Sequence, residues 1–173
     1  MHRPLNMEDA MNKMLAVGVS CVLSFACFTS IARASPAVGV TPTLLNRATF
    51  DPFSVATDHD SPINFRAKAK TDVDIVVRQH DYLAHAYTGW HKHPGPVFIT
   101  VKSGALTFYE YDDPSCTPIV VNAGEGYVDD GHGHIGVNQT DQPAEDFSVI
   151  LAPVGAPFRT EIDVGPNGRC GYP

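Results

Sequence analysis

From Phe65 onward, short apolar and β-branched runs alternate with turn residues. Asp74–Gln79 (DIVVRQ), Val97–Val101 (VFITV), Ala105–Tyr111 (ALTFYEY), Thr117–Asn122 (TPIVVN), Gly126–Val128, Ile135–Asn138 and Phe147–Pro153 (FSVILAP) are rich in Val, Ile, Phe, Tyr and Thr. Such side chains suit a pleated, half-buried surface. The breaks between them, Ser103-Gly104, Asp112-Asp113-Pro114, Ala123-Gly124 and Asp141-Gln142-Pro143, carry turn chemistry. No window after residue 35 sustains a helical apolar period, and the runs do not repeat one another. The pattern predicts an all-β domain, a sandwich or barrel of short strands. Residues 35–64 differ, because Pro, Thr, Ser and Asp separate isolated apolar points at Leu44, Leu45, Phe50, Phe53 and Val55. They read as an extended lead-in with one edge strand, followed by a barrel over 65–158 and a C-terminal tail over 159–173.

The first 34 residues carry a different signal. Met14–Phe28 is an uncharged apolar run preceded by His2, Arg3 and Lys13 and followed by the small-x-small site Ala32-Arg33-Ala34. It is shorter than the roughly 20 residues of a spanning helix and lacks a charged stop. The segment 1–34 therefore reads as a secretory signal peptide, giving a secreted or periplasmic protein with no stable membrane insertion after cleavage. The remaining length and composition, 43% hydrophobic and 18% charged over the whole chain, suit one globular domain. Removing three basic and two acidic residues with the leader moves the formal charge from −7 to −8. An acidic exported domain is a poor match for nucleic acid. Cleavage also removes Cys21 and Cys27, and the surviving pair, Cys116 and Cys170, is expected to form a disulfide in an oxidising compartment, tying the tail to the loop around Pro114.

The candidate chemistry lies in histidines. Four of the seven beyond the leader form two H-x-H pairs, His91/His93 and His132/His134. In a strand, residues two apart share a face, so each pair can aim two imidazoles into one interior. Pro94-Gly95-Pro96 ends the first pair rigidly, and Trp90, by alternation, faces away from His91 onto the outer side. His59, His80 and His85 have no partner spacing and read as surface or hydrogen-bonded residues. Asn138-Gln139-Thr140 is a glycosylation sequon that matters only in a eukaryotic source. No nucleophile elbow, phosphate loop or Cys-x-x-Cys is present.

Taken together, His91, His93 and Gly104, then Gly131, His134 and Asn138, resemble the two motifs of the cupin superfamily. The first of these runs H-x-H, three or four residues, Glu, six residues, Gly; the second runs Pro-x-Gly-x-x-His-x-x-x-Asn. The resemblance spans about Val73 to Pro153. It implies an antiparallel jelly-roll barrel as the fold, with a divalent metal inside. It puts His91 and His93 in the places of the first two ligands and His134 in that of the last. The chain departs from the pattern where Val97 stands in place of the expected glutamate ligand and Asp129 in place of the proline, and neither motif has its usual leading Gly at the expected distance.

Three alternatives follow. His91, His93 and His134 hold the metal as three neutral imidazoles; or a substitute completes the shell, with His132 nearest and Glu110 or Glu125 further candidates; or the barrel is metal-free. Imidazole ligands select a divalent transition metal (Fe, Zn, Cu, Ni or Mn) over Mg or Ca. Lacking a carboxylate ligand, the ion would keep its full charge and favour an anionic partner. The expected function is metal-dependent chemistry on a small molecule, either dioxygenase-like oxidoreduction or Lewis-acid catalysis such as isomerisation. The competing function is a metal-free module binding a saccharide or carboxylate. The resemblance also extends to a homodimer, since cupins often pair through their sheets.

Overall fold

The computed structural model describes residues 35–173. The expected signal peptide, residues 1–34, lies outside the described residues. Twelve strands are formed: β1 (Val38–Phe50), β2 (Phe53–Ala56), β3 (Arg66–Ala69), β4 (Val73–Tyr87), β5 (His91–Lys92), β6 (Val97–Ser103), β7 (Ala105–Glu110), β8 (Ile119–Asn122), β9 (Gly126–Asp129), β10 (His134–Val137), β11 (Ala144–Pro153) and β12 (Thr160–Glu161). The described residues contain no helix long and apolar enough to cross a membrane.

All pairings are antiparallel. One face of the barrel runs β1, β4, β11, β6, β9; the other runs β12, β5, β10, β7, β8. The two join where Tyr87 of β4 pairs with Val137 of β10. β2 and β3 form a separate hairpin-like pair.

Alternation along the strands sets the interior. β11 buries Ala144, Asp146, Ser148, Ile150 and Ala152, and β6 buries Val97, Ile99 and Val101, while the residues between them are more exposed. Leu106, Phe108, Val121 and Tyr127 complete the apolar core, with Phe108 stacked on Tyr127 at 4.3 Å.

The lead-in contributes more than its composition suggests. β1 pairs with β4 from Val38↔Tyr87 to Phe50↔Val73, so backbone hydrogen bonding holds a strand with few buried side chains. Asp74 fastens it: its carboxylate accepts from Arg47 Nε at 2.6 Å, Thr49 Oγ1 at 2.7 Å and the Gly155 N–H at 2.9 Å. Those donors, Thr49 foremost, hold the Asp74 carboxyl down at about 2.

The tail is likewise part of the barrel wall. β12 pairs with β5 through Glu161↔His91, and the Cys116–Cys170 disulfide forms as expected, with Cα atoms 5.4 Å apart. Trp90 faces outward from the barrel yet is fully buried, because Ile162, Val164, Cys170 and Tyr172 cover it. Its Nε1 donates to the Arg169 carbonyl at 3.3 Å.

Candidate metal centre

His91 on β5 lies directly opposite His134 on β10, and cross-strand partners share a face. His93, two residues on, joins them on that face. The three ring centroids are 4.5–5.5 Å apart, and one ring nitrogen from each histidine lies within 4.8 Å of the others. All three are buried. Gly133 makes room for this crossing: its φ is +117°, and a Cβ there would stand 2.5 Å from Ile162 Cδ1. Gly89, at φ +72°, is needed because a Cβ would strike the Ser35 carbonyl.

Two of the three outer nitrogens are engaged. His91 Nδ1–H donates to the Gly89 carbonyl at 2.9 Å, and His93 Nδ1–H donates to the Phe158 carbonyl at 2.6 Å. Each bond fixes the tautomer and leaves Nε2 unprotonated for a ligand. His134 Nδ1 stands 3.2 Å from Asp129 Oδ2, without hydrogen-bond alignment, so both atoms are buried and unpartnered. Burial pushes the Asp129 carboxyl up, but His134 and the Gly131 N–H outweigh burial and hold it below the usual carboxylate range.

Burial, and then the neighbouring His134, lower His91 well below the usual imidazole range and bring His93 to about 4. Both are neutral at neutral pH, the form that binds metal. The same shift has a consequence for stability. The unfolded chain takes up a proton near pH 6.5 that folded His93 refuses until about pH 4. The metal-free protein should therefore be at full strength above pH 6.5 and weaken as pH falls to 4, by about 3 kcal/mol from His93 alone. Urea titrations in chelator at a series of pH values measure this; a flat profile between 4 and 6.5 would contradict it.

The sequence-based candidates separate cleanly in space. His132 is not part of the cluster: its side chain is 66% exposed and lies 3.2 Å from Asp130 and 3.4 Å from Asp112. The i, i+2 rule fails here because His132 precedes β10, in the glycine-flanked turn, where no pleat aligns it with His134. Glu110 is opposite His134 in register, but its carboxylate accepts a hydrogen bond from Tyr127. Glu125 is exposed and bonds Asn122. Val97 is buried against the cavity, so an apolar wall occupies the place of the missing carboxylate. Asn138 cannot accept a glycan: it is fully buried, and its amide donates to the Leu83 and Gln142 carbonyls.

Hydropathy alone hid a polar layer beside the histidines. Arg78, His80 and Tyr82 on β4 and Asp146 and Ser148 on β11 line the same inner cavity. Of the two readings of His80, the hydrogen-bonded one holds: its Nδ1–H donates to Asp146 Oδ1 at 2.8 Å, while Tyr82 OH donates to Oδ2 at 2.8 Å. Burial and Asp146 raise Tyr82 well above the phenol range, keeping it a donor. The inner cavity measures about 20 Å³, room for an ion or a water. An outer cavity of about 340 Å³ adjoins it, and Arg78, His80, Thr88 and Arg159 line both.

The chain matches no family model and no curated protein. Among solved structures it is similar to the polyketide cyclase RemF from Streptomyces resistomycificus, at 18% identity, covering 79% of this chain and 80% of that one, with a TM-score of 0.50. It also aligns with a cupin domain from Bordetella pertussis Tohama I, at 15% identity, covering 70% and 98%, with a TM-score of 0.42. A Cupin_2 domain of an XRE family transcriptional regulator from Enterobacter cloacae aligns at 12% identity, 67% and 98% coverage, and a TM-score of 0.42. With its antiparallel barrel and the histidines of its two motifs facing one another inside, this chain has the jelly-roll fold that the resemblance to cupins implied.

Proposed function

We propose that this chain is an exported, metal-dependent enzyme acting on a small molecule, with a divalent transition ion held by His91, His93 and His134. The observation that carries this reading is the donor set: three buried imidazoles whose ring nitrogens lie within 4.8 Å of one another, beside an ion-sized cavity. The buried, unpartnered His134 Nδ1 and Asp129 Oδ2 fit a second shell that tightens on loading. An ion bound there would supply Lewis-acid or dioxygen-activating chemistry.

The chain's own residues divide the remaining work. The Gly89 and Phe158 carbonyls orient two of the imidazoles. Val97, Ile99, Phe108 and Ile150 keep the inner chamber apolar on one side and exclude water. His80, oriented by Asp146, offers its free ring nitrogen for proton transfer at the junction of the two cavities. Export is supported by the Cys116–Cys170 disulfide, which suits an oxidising compartment.

Loading chelator-treated protein separately with Fe(II), Mn, Ni, Cu and Zn, then measuring bound metal by mass spectrometry, tests the centre. We expect one equivalent of at least one ion and a rise in melting temperature with it. No stoichiometric uptake of any of the five would leave a metal-free binding module instead.

A further inference from the structure

The polar residues that line the two cavities are unevenly matched. Asp146 is satisfied by His80 and Tyr82. Glu161 is gripped by Arg159 through Nε at 2.6 Å and a second guanidinium nitrogen at 2.9 Å, and Arg159 also donates to the Thr88 carbonyl at 2.6 Å. Arg78 alone among these charges has no acidic partner within ion-pair reach among the described residues. Its Nε is buried and makes no hydrogen bond. Directly opposite it in register is Ser148, 2% exposed, whose hydroxyl is also buried and unpartnered.

Two buried donors, side by side and facing the same cavity, are costly unless something accepts from them. Burial, then the repulsion of Arg159, lowers Arg78 from its usual value, so the protein spends stability to keep a cation there. The Phe158 ring, 5.1 Å from the guanidinium carbon, packs on it and helps to hold the fork in place. This occurs in a chain of formal charge −7, in which a cation without a partner is not the default.

We propose that Arg78 and Ser148, with Arg159 adding to the local positive potential, form a carboxylate-binding subsite beside the histidines, and that the ligand of the barrel is a small organic acid. The chemistry selects a carboxylate because a guanidinium fork matches its two coplanar oxygens and the serine hydroxyl can donate to one of them. The sizes agree: the outer cavity of about 340 Å³ takes the body of a small ligand, and the inner chamber of about 20 Å³ admits only an end of it. This assignment rests on the functional reading above only for calling the acid a substrate; the anion subsite stands on Arg78 and Ser148.

Isothermal titration with succinate, its neutral diamide succinamide, and inorganic phosphate tests the subsite, using the mature protein both chelator-treated and metal-loaded. Succinate should bind, succinamide should not, and phosphate should bind more weakly than succinate. Arg78→Met should weaken succinate binding about tenfold or more, Ser148→Ala by a smaller factor, and the exposed Arg66→Met not at all. Ser148→Ala keeps the test open if Arg78→Met misfolds. In the metal-free protein the Arg78 dependence should persist, so a chain that takes up no metal but still binds succinate through Arg78 upholds the subsite and defeats only the metal centre. Equal binding of the diamide, tighter binding of phosphate, or wild-type succinate affinity in both Arg78→Met and Ser148→Ala would overturn it.

Discussion

A Cys116→Ser, Cys170→Ser double variant should lose about 4 kcal/mol of stability, because the disulfide closes a loop spanning 54 positions and restricts the unfolded chain accordingly. For a domain of this size that is a fall in Tm on the order of 15 °C. The native state should respond too, since the bridge anchors the tail that covers Trp90 and lines the barrel with β12. The Phe158 carbonyl that orients His93 lies just before that tail. Thermal melts with and without reductant check this. The wild type in reductant should fall to the level of the variant, and the variant should be insensitive. Melts unchanged by reductant and by the double substitution would contradict this.

The fold was legible where side-chain pattern and strand period coincide. β6 alternates buried Val97, Ile99 and Val101 with exposed residues, and β11 carries the apolar run Phe147–Pro153, so both are visible as strands in the sequence. β1 was less so: Pro42, Asn46 and three Thr interrupt its apolar points, and it is held by backbone pairing to β4 and by the Asp74 network, neither of which leaves a hydropathy signal. The centre shows the same division. H-x-H located His91 and His93 because β5 fixes the first of them and the second follows at once. The same spacing misled at His132, which lies in a turn. Arg78, Asp146 and Ser148 were missed, and His80 reads in the sequence as hydrogen-bonded or surface but not as part of a site, because polar residues at inward positions look like a solvated face. The usable signal was register: Asp146 and Ser148 alternate with Phe147 and Val149 at the phase of the buried Ile150, and Arg78 and His80 keep the phase of the buried Val76.

A His91→Ala, His93→Ala double variant should bind no stoichiometric metal. Each substitution removes one of three imidazoles, and a single remaining histidine offers one ligand where a transition ion requires three or more protein donors. His134→Ala should weaken binding by orders of magnitude in the same way. His132→Ala should leave the stoichiometry unchanged, because that side chain is solvated between Asp112 and Asp130. The contrast between His134 and His132, two residues apart, separates loss of a ligand from a general disturbance of the turn. Far-ultraviolet circular dichroism of each variant checks that the barrel persists.

Crystals of metal-loaded protein, measured at the absorption edge of the loaded ion, test the centre most directly. One strong anomalous peak per chain is expected within bonding distance of ring nitrogens of His91, His93 and His134. A peak instead at His132 with Asp112 and Asp130, or none in the barrel after stoichiometric loading, would contradict it.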